Sequence, residues 1–291
     1  MWSRVLLLLV CAAASAAAAR PEAETSAPVP TSTAGGGAVP TEPATTQPPP
    51  DERAVLAEFP SAVLFGRTCG GSVLGPRWVL TAAHCSLFGA GSTVLAGAAH
   101  SQRGGSLRRV KRLVIHPNFS VGPYWLSPQA FGIQQVAAHY DFLLAELEDP
   151  LPIDNKTIAA VRLDEELTHE AGVEAGFAGW GAARHGGTMR HTLHAARLWL
   201  VADAECGAAL PQYEAGDMLC ARGRAATGAG AGAGGDTACS GDSGSGLLAG
   251  GRLLGVASWV ERDARECFPG ALVVFARVAR VRGWIRDVTG I

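Results

Sequence analysis

From Phe59 onward, short apolar runs alternate with turn residues. The first half carries "SAVLF", "SVLGPRWVLTAAHC", "STVLAGA", "RLVIH" and "DFLLAEL"; the second carries "AGFAGWG", "HTLHAARLWLV", "SGLLAGGRLLGVASWV" and "ALVVFARV". Runs of this length, rich in Val and Leu and punctuated by Gly and Pro, predict the strands of an all-β sandwich or barrel. Only the last segment changes period. Val278, Val281, Ile285 and Val288 recur at steps of three and four, with Gly290 behind them, which predicts a C-terminal helix. Two stretches break the pattern. Residues 225–238, "AATGAGAGAGGDTA", hold nothing that packs a core and predict a mobile loop. Residues 20–53 are dominated by Pro, Thr, Ala and Gly and lack large apolar side chains. Such a stretch cannot offset its ordering entropy, so it reads as a disordered, O-glycosylation-prone propeptide or stalk, leaving residues 54–291 as the folded domain.

The start of the chain has a different character. Met1 to Ala19 contains Arg4, the run "VLLLLVCAAASAAAA", and small residues at Ala17 and Ala19. This is the layout of a secretory signal peptide, residues 1–19, and a membrane anchor would need a longer apolar span. The expected location is therefore secreted and extracellular, with no membrane as partner. Cysteine usage points the same way. Of seven cysteines, Cys11 lies in the leader, leaving Cys69, Cys85, Cys206, Cys220, Cys239 and Cys267. An even set in an oxidising compartment predicts disulfides, whose pairing the spacing leaves open. No C-x-x-C pair or H-x-x-x-H helix is present, so no metal site and no cofactor are expected. Asn118 and Asn155 head N-x-S/T sequons and are glycosylation candidates. The net charge of −2 favours neither nucleic acid nor a membrane surface. Arg103, Arg108, Arg109, Lys111 and Arg112 form one basic cluster, readable as a solvated strand edge or as an anion-binding exosite.

Three segments carry candidate chemistry. "VLTAAHC" puts His84 at the end of an apolar run; "HYDFLLAEL" puts Asp141 at the start of a buried one; "DTACSGDSGSG" surrounds Ser243 with glycines. Each alone has a structural reading: a strand-end histidine, a loop-facing acid, a turn serine. A nucleophilic serine needs a base, an orienting group for that base and donors for the oxyanion. An α/β-hydrolase elbow, G-x-S-x-G, is excluded because its fifth position is Ser245 here.

The series "CGGSVLGPRWVLTAAHC … DFLLAEL … AGWG … DMLCA … CSGDSGSG … SW", from about Phe59 to Trp284, resembles the trypsin/chymotrypsin-like serine protease family, peptidase family S1. The resemblance implies two packed antiparallel six-stranded β-barrels with a C-terminal helix. It implies that Ser243 attacks the scissile carbonyl, that His84 relays the proton, and that Asp141 holds the imidazole. The backbone N–H groups of Gly241 and Ser243 would form the oxyanion hole. Ser258, Trp259 and Val260 would lie along the substrate main chain. The implied disulfides are Cys69–Cys85, Cys206–Cys220 and Cys239–Cys267. The implied partners are a polypeptide substrate and a macromolecular protease inhibitor, on a monomeric enzyme. Thr237 stands where a trypsin has a pocket aspartate, with Asp236 one place early. Val260 and Val273 stand on walls where wide-pocket relatives have glycine. Cleavage after small apolar residues is therefore expected.

The sequence also departs from the family. Members are activated by a cut that frees an Ile-Val-Gly-Gly terminus, whose ammonium pairs with the aspartate before the nucleophile, here Asp242. No such tetrapeptide precedes "EFPSAVLF". Arg53 is the expected cleavage point, giving Ala54-Val55-Leu56, and five steps from Ala54 to Phe59 reach at most about 17 Å. That arm is half the family length. The alternative expectation is a zymogen-locked homologue acting as a binding or regulatory protein. The segment 121–140 is longer than typical, with Tyr124, Trp125 and Phe131 expected to pack on the barrel.

Overall fold

The computed structural model describes residues 50–88, 92–122, 137–184, 186–223, 236–261, 267–268 and 270–291. The first half supplies β1 (Ala62–Phe65), β2 (Cys69–Gly75), β3 (Trp78–Thr81), β4 (Thr93–Ala96), β5 (Ser106–Ile115), the short pair β6 (Ser120–Val121) and β7 (Ala138–His139), and β8 (Leu143–Leu147). The second supplies β9 (Arg162–Leu163), β10 (Glu174–Gly179), β11 (His194–Val201), β12 (Met218–Arg222), β13 (Gly246–Ala249), β14 (Arg252–Val260) and β15 (Leu272–Arg277). Helices are α1 (Pro50–Glu58), α2 (Asp203–Ala209) and α3 (Arg282–Thr289).

Two closed barrels result. The first runs β1-β2-β3-β8-β5-β4, and the second β13-β10-β11-β12-β15-β14, with β13 paired back onto β14. Closure removes the exposed edges that an open sheet would present. All these pairs are antiparallel. β9 adds one parallel pairing at the edge of β14, Arg252 with Arg162 and Leu253 with Leu163. Alternation on β11 buries Ala196, Leu198 and Leu200 and leaves the residues between them half-exposed, the period-2 signature of a strand with one wet face. β15 is buried along its whole length, because it is covered on both faces.

The last segment behaves as its period predicts. A 3₁₀ turn at Val278–Val281 leads into α3, Val278, Val281 and Ile285 are buried, and Gly290 caps the helix at φ +77° with its N–H on the Arg286 carbonyl. α1 and α2 carry no readable period. α2 buries only Cys206 and is tied to β12 by the disulfide to Cys220. α1 runs straight through the expected Arg53–Ala54 boundary and docks Leu56, with Phe59 behind it, on the cluster containing Ala178 and Trp180.

The basic cluster is partly neutralised where it lies on β5, where Arg108 donates to the Pro150 carbonyl at 2.9 Å. Arg109 pairs with Glu148 at 2.7 Å, Lys111 with Glu146 at 2.8 Å, and Arg112 also with Glu146. That is a solvated strand face on which four cations meet two carboxylates. Asn118 and Asn155 are both exposed. Tyr124, Trp125 and Phe131, and most of the glycine-alanine stretch, lie outside the described residues. No helix among the described residues is long and apolar enough to cross a membrane.

Candidate active site

His84 sits in a 3₁₀ turn, Ala83–Phe88, directly after β3. The turn is pinned by the Cys69–Cys85 disulfide to β2, and by the Thr81 hydroxyl donating to the Gly70 carbonyl at 2.7 Å. Asp141 lies between β7 and β8 and is fully buried. A buried carboxylate is tolerable only if its oxygens are satisfied, and Asp141 has three donors. His84 N–H donates to Oδ1 at 2.9 Å, His84 Nδ1 lies 2.6 Å from Oδ2, and the Ser258 hydroxyl donates to Oδ2 at 2.5 Å. The carboxylate thus fixes both the backbone and the ring of His84. With Nδ1–H committed to Asp141, Nε2 is the ring nitrogen placed to act as a base. Burial works against a charged imidazole, but the charge and hydrogen bond of Asp141 outweigh it and hold the His84 pKa above its ordinary value.

Ser243 comes from the loop before β13, and this loop is built on the first barrel as well as the second. The Ser243 carbonyl accepts the Gly70 N–H at 2.7 Å, and the Gly244 N–H donates to Ala257 on β14 at 2.8 Å. A Cβ on Gly244 would lie 2.2 Å from the Thr81 hydroxyl, so only glycine permits this approach. Ser258 lines one cavity with Ser243 and reaches Asp141 through its hydroxyl, which links the three segments.

Gly241 has φ +98°, a conformation that glycine tolerates. Asp242, Gly244 and Ser245 donate their backbone N–H groups within the loop or to β14. The N–H groups of Gly241 and Ser243 donate to no acceptor among the described residues. These are the two groups that the sequence nominates as oxyanion donors.

Asp242 is almost fully buried. Its Oδ1 accepts the Gly181 N–H at 2.9 Å and its Oδ2 the Cys239 N–H at 3.0 Å. A Cβ on Gly179 or Gly181 would collide with this carboxylate, so the "GWG" segment exists to admit it. Burial pushes its pKa up to about 7, against the two N–H groups and the charge of Arg190. Ser245 is fully buried, and its hydroxyl has no partner among the described residues.

The cavity beside Ser243 measures about 160 Å³, with Ser258, Trp259, Val260 and Val273 among its walls. Thr237 is not in the lining; it is half-buried, and Ala238 takes the place beside Cys239. Asp236 faces elsewhere, its Oδ2 accepting the Arg197 N–H on β11 at 2.6 Å. Among the described residues, the one ionisable side chain in the lining is Asp242, already committed to backbone donors. Sequence reasoning missed Ala238, Ala257 and Ser240 as lining residues, and missed the Ser258–Asp141 bond. All of these residues stand in quoted segments, but which of them face the cavity or each other is decided by folding. The cysteines pair as Cys69–Cys85, Cys206–Cys220 and Cys239–Cys267, as the resemblance implies.

Comparison with known proteins gives a consistent picture. A family model described as Trypsin matches residues 52–285. Scolexin B of Heliothis virescens is 51% identical over 251 residues, covering 86% of this chain and 83% of that protein. Trypsin 5G1 of Aedes aegypti is 33% identical over 238 residues, 79% of each chain. Among solved structures, neuropsin, a serine protease expressed in the limbic system of mouse brain, matches with a TM-score of 0.62 at 24% identity. That match covers 80% of this chain and 95% of the neuropsin chain and speaks to the fold.

Proposed function

The chain belongs to the trypsin family of serine proteases and is a serine-type endopeptidase, and we propose that His84, Asp141 and Ser243 carry its reaction in a secreted protein. The observation that supports this most directly is the triply donated, buried Asp141 beneath His84. His84 Nε2 takes the Ser243 proton as Oγ attacks the scissile carbonyl, and returns it to the leaving amine. Asp141 holds the tautomer and stabilises the imidazolium without itself being protonated. The Gly241 and Ser243 N–H groups receive the oxyanion, a contribution of about 3 to 4 kcal/mol per donor in related hydrolases. Hydrolysis of the acyl-enzyme by water then regenerates the serine. The three disulfides fit an oxidising compartment.

The preferred residue before the cut is small and apolar. Among the described residues the lining offers no free carboxylate for Arg or Lys, and Val260 and Val273 stand on its walls. Cleavage profiling on a peptide library tests this: Ala and Val should lead in the parent. Val260→Gly with Val273→Gly should move the preference to Phe and Leu by more than tenfold. A parent preference for Arg or Lys would refute the assignment.

One observation favours a second reading, a zymogen-locked homologue that binds without cleaving. Asp242 is buried and forms no ion pair among the described residues, and Arg53 lies inside α1 rather than in an extended segment. Activity that appears only after a cut near Arg53 favours the enzyme. A cut protein that stays inert favours the binding protein.

A further inference from the structure

We propose that His139, Glu214 and Asp217 form a binding site for a divalent first-row metal ion of the zinc class, joining the two barrels beside Asp141. His139 ends β7, two residues before Asp141, whereas Glu214 and Asp217 lie in the turn between α2 and β12. Their ligand atoms all fall within 4.8 Å of one another. His139 Nδ1 is 3.4 Å from Asp217 Oδ2 and 3.9 Å from Glu214 Oε2. Ligands at about 2.0–2.1 Å around one tetrahedral ion stand roughly 3.4 Å apart. The His139–Asp217 separation equals that spacing, and the His139–Glu214 separation is close to it.

Charge and support agree with this geometry. Among the described residues, neither Glu214 nor Asp217 pairs with a lysine or arginine; their ionic partner is His139 alone. With a neutral imidazole the cluster carries two negative charges, which a divalent ion cancels. Asp217 is nearly buried, and its orientation is set by main-chain bonds. Its Oδ2 accepts the Tyr140 N–H at 2.9 Å, and its carbonyl accepts the Arg277 N–H at 2.8 Å. Such outer contacts fix a ligand in place before metal arrives. Glu214 is exposed and His139 partly so, leaving access for the ion and a water as fourth ligand. One imidazole among oxygen donors selects zinc-class metals over calcium or magnesium. Spacing rules gave no metal site because two of these ligands stand far downstream of the third; only the fold assembles them.

The same bond from Tyr140 to Asp217 already secures the backbone entering Asp141. A bound ion would lock that segment of the first barrel to the Cys206–Cys220 loop of the second. Binding to the folded state alone raises stability by mass action.

The test is calorimetric titration of zinc chloride into the full chain carrying Ser243→Ala, which prevents self-cleavage. One zinc per chain is expected, with a melting temperature that rises with zinc. His139→Ala and Glu214→Gln, both at accessible positions, should weaken binding about tenfold or more and abolish the thermal shift. Calcium should not compete. The proposal is overturned by a parent that binds no zinc at about 1 mM. It is equally overturned by unchanged affinity in both variants, or by binding lost instead in His100→Ala or His191→Ala, the stacked pair elsewhere on the surface.

Discussion

At the scale of single residues, the proposed chemistry rests on how Asp141 divides its two oxygens. One holds the His84 backbone and the other holds the ring together with Ser258. Asp141→Asn removes the two influences that raise the His84 pKa and leaves burial, which lowers it. His84 acts as a base only when neutral. In the parent, kcat/KM should therefore climb with pH through a midpoint above 6.5, the ordinary histidine value. In Asp141→Asn that limb should move to lower pH, while the plateau rate falls about 10⁴-fold because the tautomer is wrong. A pH–rate profile of both proteins checks each part. The three residues of the proposed triad were nominated in sequence because each stands inside a motif. The Ser258 hydroxyl was not assigned to Asp141, because that bond joins residues 117 apart and is made by folding.

At the scale of elements, the loop from Cys239 to Gly246 is the part under tension between charge and burial. Asp242 gives up water for two N–H donors, and its pKa stands near 7 rather than 3.8. The folded chain thus keeps this proton where the unfolded chain has released it. Stability is lost as pH rises from about 4 to about 7, and the loss persists above that. Asp242→Asn should therefore be matched to the parent near pH 4 and more stable than it near pH 8, measured by urea midpoints. The same substitution should leave the cut protein inactive, because a carboxamide cannot hold an ammonium. Strand positions were readable from their short apolar runs. α1 and α2 were not, because α2 buries one residue and α1 starts in a proline-rich stretch of polar composition.

At the scale of the whole molecule, the proposed function follows from two barrels that each own part of the candidate site. The first presents His84 and Asp141; the second presents Ser243 and the cavity walls. Gly70 and Ser258 fasten one to the other at the reacting centre. Sequence motifs gave the order of these parts, and the resemblance gave their arrangement. The extent of the N-terminal arm was hidden, since a helix across Arg53 depends on docking Leu56 near Trp180. The central claim is that Ser243 is an activated nucleophile. A fluorophosphonate probe on the chain cut near Arg53, with the adduct located by peptide mass spectrometry, tests it most directly. One adduct on Ser243, absent in Ser243→Ala and lost below the His84 midpoint, is the predicted result. A folded, cut protein that takes up no probe at neutral pH, or takes it up elsewhere, would contradict the account.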